Sequence, residues 1–143
     1  IGSWTAAEII GLVGDVRRYP TKKKFRKMLG VYPVSEQSGI SLKRSRMGRQ
    51  GARSGRGSLY IAVVGLLAPN RRPNFIADYV DRRRSQGMGG KAAVIAAMGK
   101  LAETIWSCAY HNQPFDAERA TRLGHKAICG GSGRVVTEKP DGL

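Results

Sequence analysis

Residues 35–57, SEQSGISLKRSRMGRQGARSGRG, set the tightest limit on what this chain can fold into. The stretch has too few apolar side chains for a core strand or helix, and Gly, Ser and Arg punctuate it throughout. It therefore predicts a long polar loop interrupting an otherwise helical chain. Loops of that length inside a compact domain are uncommon and usually carry function.

The charge points the same way. Between Arg17 and Arg56 lie 13 Lys and Arg side chains and one acid, Glu36, so that span holds +12 of the chain's formal +15. A solubilising surface mixes both signs. A single-sign span is the electrostatic footprint of a phosphate-binding surface, and nucleic acid is the expected partner. An anionic membrane fits less well, because the span shows no amphipathic helix with a broad apolar face. No apolar run approaches the roughly 20 residues that cross a bilayer, and no secretory signal is visible at the start.

The remaining composition is that of an ordinary globular domain: 143 residues, 41% hydrophobic. Cys108 and Cys129 have no metal-ligand spacing with each other or with His111 and His125, so no metal site is expected. Cys108 reads as a core residue, and the setting reads as intracellular and reducing. The abrupt start at Ile1-Gly2, with no initiator methionine, suggests a piece of a longer protein.

Periodicity supplies the elements. Thr5-Ala6-Ala7-Glu8 fits a capping box opening a first helix that ends at Gly14. Arg17-Arg18-Tyr19-Pro20 is a basic turn. Thr21 caps a helix over 22–29 that buries Phe25, Met28 and Leu29 and exposes Lys22, Lys23, Lys24, Arg26 and Lys27, with Gly30 as its stop. Residues 58–68 form a buried helix, although Ile61, Val63 and Val64 would also suit a strand. Residues 69–73 turn. Helices follow over 74–86 and 91–111, the latter with a Val94, Met98, Leu101, Ile105, Cys108 stripe and with Trp106 and Tyr110 anchoring its packing. After Pro114-Phe115-Asp116 comes a short helix over 117–123. From Gly124 the chain reads as a flexible tail, and Gly130-Gly131-Ser132-Gly133 lacks the lysine of a nucleotide-binding loop.

The motifs then carry a resemblance. Ile1-Gly2 before Thr5-Ala6, Gly14-Asp15, the helix with Phe25, Leu29-Gly30-Val31, Pro33 and Gln37-Ser38-Gly39 follow one another as in the C-terminal domain of the DEDD-type, Piv-like transposases of bacterial insertion sequences. Arg49-Gln50-Gly51, Lys91-Ala92-Ala93 and Pro114-Phe115-Asp116 resemble later steps of that domain, so the likeness runs from Ile1 to about Asp116. The opening resembles the second half of a helix-hairpin-helix, whose backbone N–H groups hold a phosphate without reading sequence. The segment 52–57 departs from the family pattern and leaves the start of the next helix open.

The resemblance implies a DNA recombinase domain in which Ser38 attacks a phosphodiester. Taken alone, Ser38-Gly39 reads as a turn. A serine hydroxyl needs activation, and Glu36 is the only acid nearby. Arg44, Arg46 and Arg49 would neutralise the phosphate instead. The family places its metal-binding carboxylates, with Mg, in a RuvC-like domain absent from this sequence, so no cofactor is expected in this chain. The chain alone should bind nucleic acid without exchanging strands. DNA, a guide RNA in some members, a homo-oligomer of the whole protein and a bacterial cytoplasmic, nucleoid-associated setting complete the implication.

The expectation is an all-α domain over residues 1–123, with the basic loop 35–57 projecting from it. The phosphate-tracking residues are Arg17, Arg18, Lys22, Lys23, Lys24, Lys27, Lys43, Arg44, Arg46, Arg49, Arg53 and Arg56. The competing readings are a nucleic-acid-binding helical module without catalysis, and a basic protein-interaction domain such as a ribosome component.

Overall fold

Helical periodicity with an alanine-rich face lets one long helix act as the hub around which the others pack. In the computed structural model, which describes residues 1–36, 44–48, 50–70, 73–118 and 120, that hub is α5 (Gly90–Tyr110). Helices α2 (Lys22–Met28), α3 (Arg53–Leu66) and α4 (Phe75–Ser85) lie against it, and α1 (Ser3–Val13) packs on α3. The fold is all-helical in its core. By length and composition α5 could cross a membrane, which the reading of apolar runs missed; in the fold it is the central core helix.

The buried face of α5 consists of Ala93, Ala97, Met98, Leu101, Ala102 and Trp106. Val94, Ile105 and Cys108, expected at the centre of the stripe, sit half-buried at its margin. Small side chains at the contact let α3 and α4 approach closely. Phe25, Leu29, Leu59, Val63, Ile76 and Val80 fill the rest of the core. Trp106 reaches across to α2's approach, donating its indole N–H to the Tyr19 carbonyl at 2.8 Å, and stacks on Tyr110 with ring centroids 4.6 Å apart.

Several boundaries follow local chemistry, the Thr21 cap as expected and the Asn74 cap in place of the helical position expected for Asn74. Thr21 caps α2 by accepting from the Lys24 N–H at 3.3 Å. Asn74 caps α4, its Oδ1 accepting from Ala77 N–H at 2.9 Å, while its Nδ2 donates to the Leu66 carbonyl at 3.0 Å. One amide thus ties the end of α3 to the start of α4.

Other boundaries moved. The Ala6 N–H already bonds to the Gly2 carbonyl at 3.0 Å, so α1 starts at Ser3 with Gly2 as N-cap. Thr5 then lies within the first turn and cannot act as the cap. Helix α3 begins at Arg53, five residues before the apolar run, despite Gly55 and Gly57. Packing outweighs helix propensity here: Gly55 is buried where a Cβ would come within 2.7 Å of Leu12 Cδ2 and 2.8 Å of Leu29 Cδ2.

The expected loop is also partly regular. Strands β1 (Pro33–Glu36) and β2 (Arg44–Met47) pair antiparallel in the register Pro33↔Met47, Val34↔Arg46, Ser35↔Ser45 and Glu36↔Arg44. A ladder is built from backbone N–H and C=O groups, so polar side chains do not forbid it. Near the other end, Ala117 and Glu118 are helical, with Asp116 Oδ1 accepting from the Glu118 N–H at 2.9 Å. The tail expected from Gly124 lies outside the described residues.

Arg26, expected on the exposed face of α2, turns inward. Its Nη1 donates to Glu103 Oε1 at 2.8 Å, and the two side chains are only 23% and 32% exposed. Its Nη2 lies 3.3 Å from the Val31 carbonyl, and the guanidinium covers Gly99 of α5. Glu103→Ala removes the counter-charge from a largely desolvated cation. The expected cost is about 2 kcal/mol, read as a lowered urea midpoint at unchanged slope.

Candidate nucleic-acid interface

The basic span is organised by a crossing of two glycines. Gly30 ends α2 with φ +72, the left-handed conformation a Cβ disfavours. Gly51 returns the chain to the helical body with φ +102. A Cβ on Gly51 would meet the Lys27 carbonyl oxygen, with Gly30 N at 2.6 Å and Gly30 Cα at 2.8 Å. The Ala52 N–H donates to the Met28 carbonyl at 2.7 Å, and the Gly48 N–H to the Tyr32 carbonyl at 3.0 Å. The C-terminus of α2 and the N-terminus of α3 are therefore joined backbone to backbone. The chain leaves α2 after Gly30 and enters α3 after Gly51 at this one place.

Among the described residues, the expected cations sit on four elements: the turn after α1, α2, β2 and α3. Arg17 and Arg18 form the exposed 3-10 turn after α1, which Asp15 caps through the Arg17 N–H at 2.9 Å. Lys23, Lys24 and Lys27 are exposed on α2. Lys22 is half-buried and lines a small cleft with Lys100, Glu103 and Asp116. Burial in that cleft lowers the Lys100 ammonium below the usual lysine value, and Lys22 and Arg82 push it the same way against Glu103. Arg53 is exposed in the first turn of α3, while Arg56 is half-buried with Nη1 3.5 Å from the Gly48 carbonyl. That distance is long for a hydrogen bond.

Arg44 and Arg46 belong to β2. Ser38, Lys43 and Arg49 lie outside the described residues, so their placement rests on the sequence. Among the described residues, no three His, Cys, Asp or Glu side chains come together as a metal site would require.

Packing adds a cationic surface that charge counting along the sequence missed. Arg84 at the end of α4 and Lys91 at the start of α5 join Arg53 and Arg56 around one cleft of about 630 Å³. Tyr60 of α3 lines it, 53% exposed. These residues lie up to 38 positions apart (Arg53 to Lys91) in the sequence. In the sequence Asp78 and Asp81 offset the charge beside Arg84, and Lys91 stands seven residues from the nearest other cation.

Comparison with known proteins relates the chain to one transposase family and to two named relatives. Residues 1–80 match the family described as Transposase IS116/IS110/IS902. A pilin gene-inverting protein of Moraxella lacunata and one of Moraxella bovis are each 31% identical over 117 residues. The alignment covers 81% of this chain and 36% of each relative, so the chain spans little more than a third of their length.

Proposed function

The chain belongs to the IS116/IS110/IS902 transposase family, and we propose that it is the DNA-gripping, serine-bearing part of a recombinase. The observation that carries the reading is the extent of the match: residues 1–80 include the whole basic span 17–56 and Ser38. The Moraxella relatives are named for inverting a pilin gene. Inversion and transposition both require DNA strands to be cut and rejoined, the work proposed for the whole protein here.

In this reading Arg17, Arg18 and the lysines of α2 track the phosphate backbone without reading bases. The N-terminus of α1, with Gly2 as its cap, adds backbone N–H donors to a phosphate in the manner of a helix-hairpin-helix. The Ser38 hydroxyl attacks a phosphodiester: an Oγ–P bond forms, one P–O bond to a deoxyribose oxygen breaks, the serine proton leaves to solvent or a base, and the departing sugar oxygen takes up a proton to become a hydroxyl. The freed sugar hydroxyl later reverses the step on a new strand. Arg44, Arg46 and Arg49 stabilise the added negative charge of the pentavalent phosphate.

The described residues gather no carboxylate cluster fit for a divalent metal. In this reading Mg would be held by a RuvC-like domain of the whole protein, as the family resemblance implies. A guide RNA, assembly of several copies around the DNA ends and a bacterial cytoplasmic, nucleoid-associated setting belong to the same proposal.

Binding to duplex DNA across a salt series tests the partner. With about six phosphates neutralised, affinity should fall on the order of 10³-fold between 50 and 200 mM salt. A flat dependence would remove the polyanion from the reading.

A further inference from the structure

The cleft between α3, α4 and the first turn of α5 has a composition that phosphate tracking alone does not explain. Arg53, Arg56, Arg84 and Lys91 line it, and among the described residues no acid does, yet Tyr60 and Ile95 stand among them with 53% and 43% of their surfaces in water. Among the described residues the Tyr60 ring stacks on no other aromatic ring. An apolar wall contributes nothing to holding a bare phosphate. It contributes a good deal to holding a ring system attached to one, since stacking a base on an aromatic side chain is worth about 1–3 kcal/mol.

We propose that this cleft holds an unpaired nucleotide of single-stranded nucleic acid, with the base against Tyr60 and Ile95 and the flanking phosphates on the four cations. The inference rests on the reading of the chain as a nucleic-acid binder and specifies what that surface takes. Its volume of about 630 Å³ lies within the range of pockets that enclose small organic ligands. A base inside a duplex has both faces covered by its neighbours, so it presents a face to Tyr60 only after leaving the stack. Exchange of one strand at a time passes through unpaired DNA, and a holder for one extruded base would keep the displaced strand from re-pairing.

The test uses fluorescence anisotropy on the 143-residue chain, with labelled oligothymidylate of about 12 nucleotides, within the usual single-strand site size, and a duplex of equal length. Tyr60→Ala should weaken oligothymidylate binding about tenfold and leave duplex binding within about twofold, while Tyr60→Phe keeps both. Tyr60 is surface-exposed, and far-UV circular dichroism checks that the variant keeps its helices. Independently, the double change Arg84→Ala with Lys91→Ala should reduce the salt slope of single-strand binding by about 1.4, at about 0.7 per contact. Equal losses on both probes, or no loss with Tyr60→Ala, overturn the cleft while leaving the phosphate-gripping reading intact. A wild-type chain that binds neither probe overturns both.

Discussion

Gly51→Ala is expected to lower the stability of this chain by about 4 kcal/mol or more, a cost few single substitutions reach. Two effects combine. At φ +102 an L side chain is strained whatever its surroundings, by about 1–3 kcal/mol. The added Cβ also lands on the Lys27 carbonyl oxygen and on Gly30 N and Cα, at 2.6 and 2.8 Å for the latter two. Those are backbone atoms of the last turn of α2 and cannot swing aside as a flexible side chain would. Relief would require separating α2 from α3 and giving up the Ala52 N–H bond to the Met28 carbonyl. Thermal denaturation followed by circular dichroism should show a melting temperature lower by about 10 °C or more. Gly57→Ala is the matched control, because a Cβ there meets nothing within 4 Å. It should be neutral, or stabilising by up to about 1 kcal/mol through better helix propensity. A Gly51→Ala chain melting within about 2 °C of the parent would show that the glycine crossing does not hold the basic span in place.

Ser38→Ala in the whole protein is expected, on the proposed function, to abolish strand exchange, by at least on the order of 10⁴-fold, the scale on which removal of a nucleophile is felt. Binding should change by no more than about twofold, since one hydroxyl among many phosphate contacts adds little to affinity. Two readouts separate chemistry from grip. A covalent protein–DNA adduct, trapped on a nicked or thiol-leaving-group substrate, should form with the parent and disappear with Ser38→Ala. Ser35→Ala and Ser41→Ala, which flank the Gln-Ser-Gly triplet, should keep both the adduct and the exchange. Retained recombination with Ser38→Ala removes this serine from the mechanism. The chain would then be a helical module that holds nucleic acid for chemistry done elsewhere.

The two predictions bear on one piece of architecture. The Arg49-Gln50-Gly51 step, noticed in the sequence only as part of a family pattern, ends at the glycine that locks α3 onto α2. The segment that carries the proposed nucleophile is thus anchored to the helical core by backbone contacts. A change at Gly51 would damage recombination through folding, whereas a change at Ser38 would damage it with the fold intact. Comparing melting temperatures with exchange rates for both variants separates these routes.

What could be read from the residues alone was what neighbours in sequence decide. Helices α2, α4 and α5 were legible because Thr21 caps from within three residues, and because apolar spacing is local. The basic span was legible because its charges are contiguous. What only the tertiary structure decided was set by groups far apart along the chain. Leu12 and Leu29 close around Gly55 and carry α3 back to Arg53, and Glu103 draws Arg26 off the surface. The hairpin register comes from backbone pairing that polar side chains conceal. Tyr60, Arg84 and Lys91 share a cleft only because α3 and α4 both pack on α5. Charge and periodicity act over a few residues, whereas burial and close approach depend on which distant surfaces the folded chain brings together.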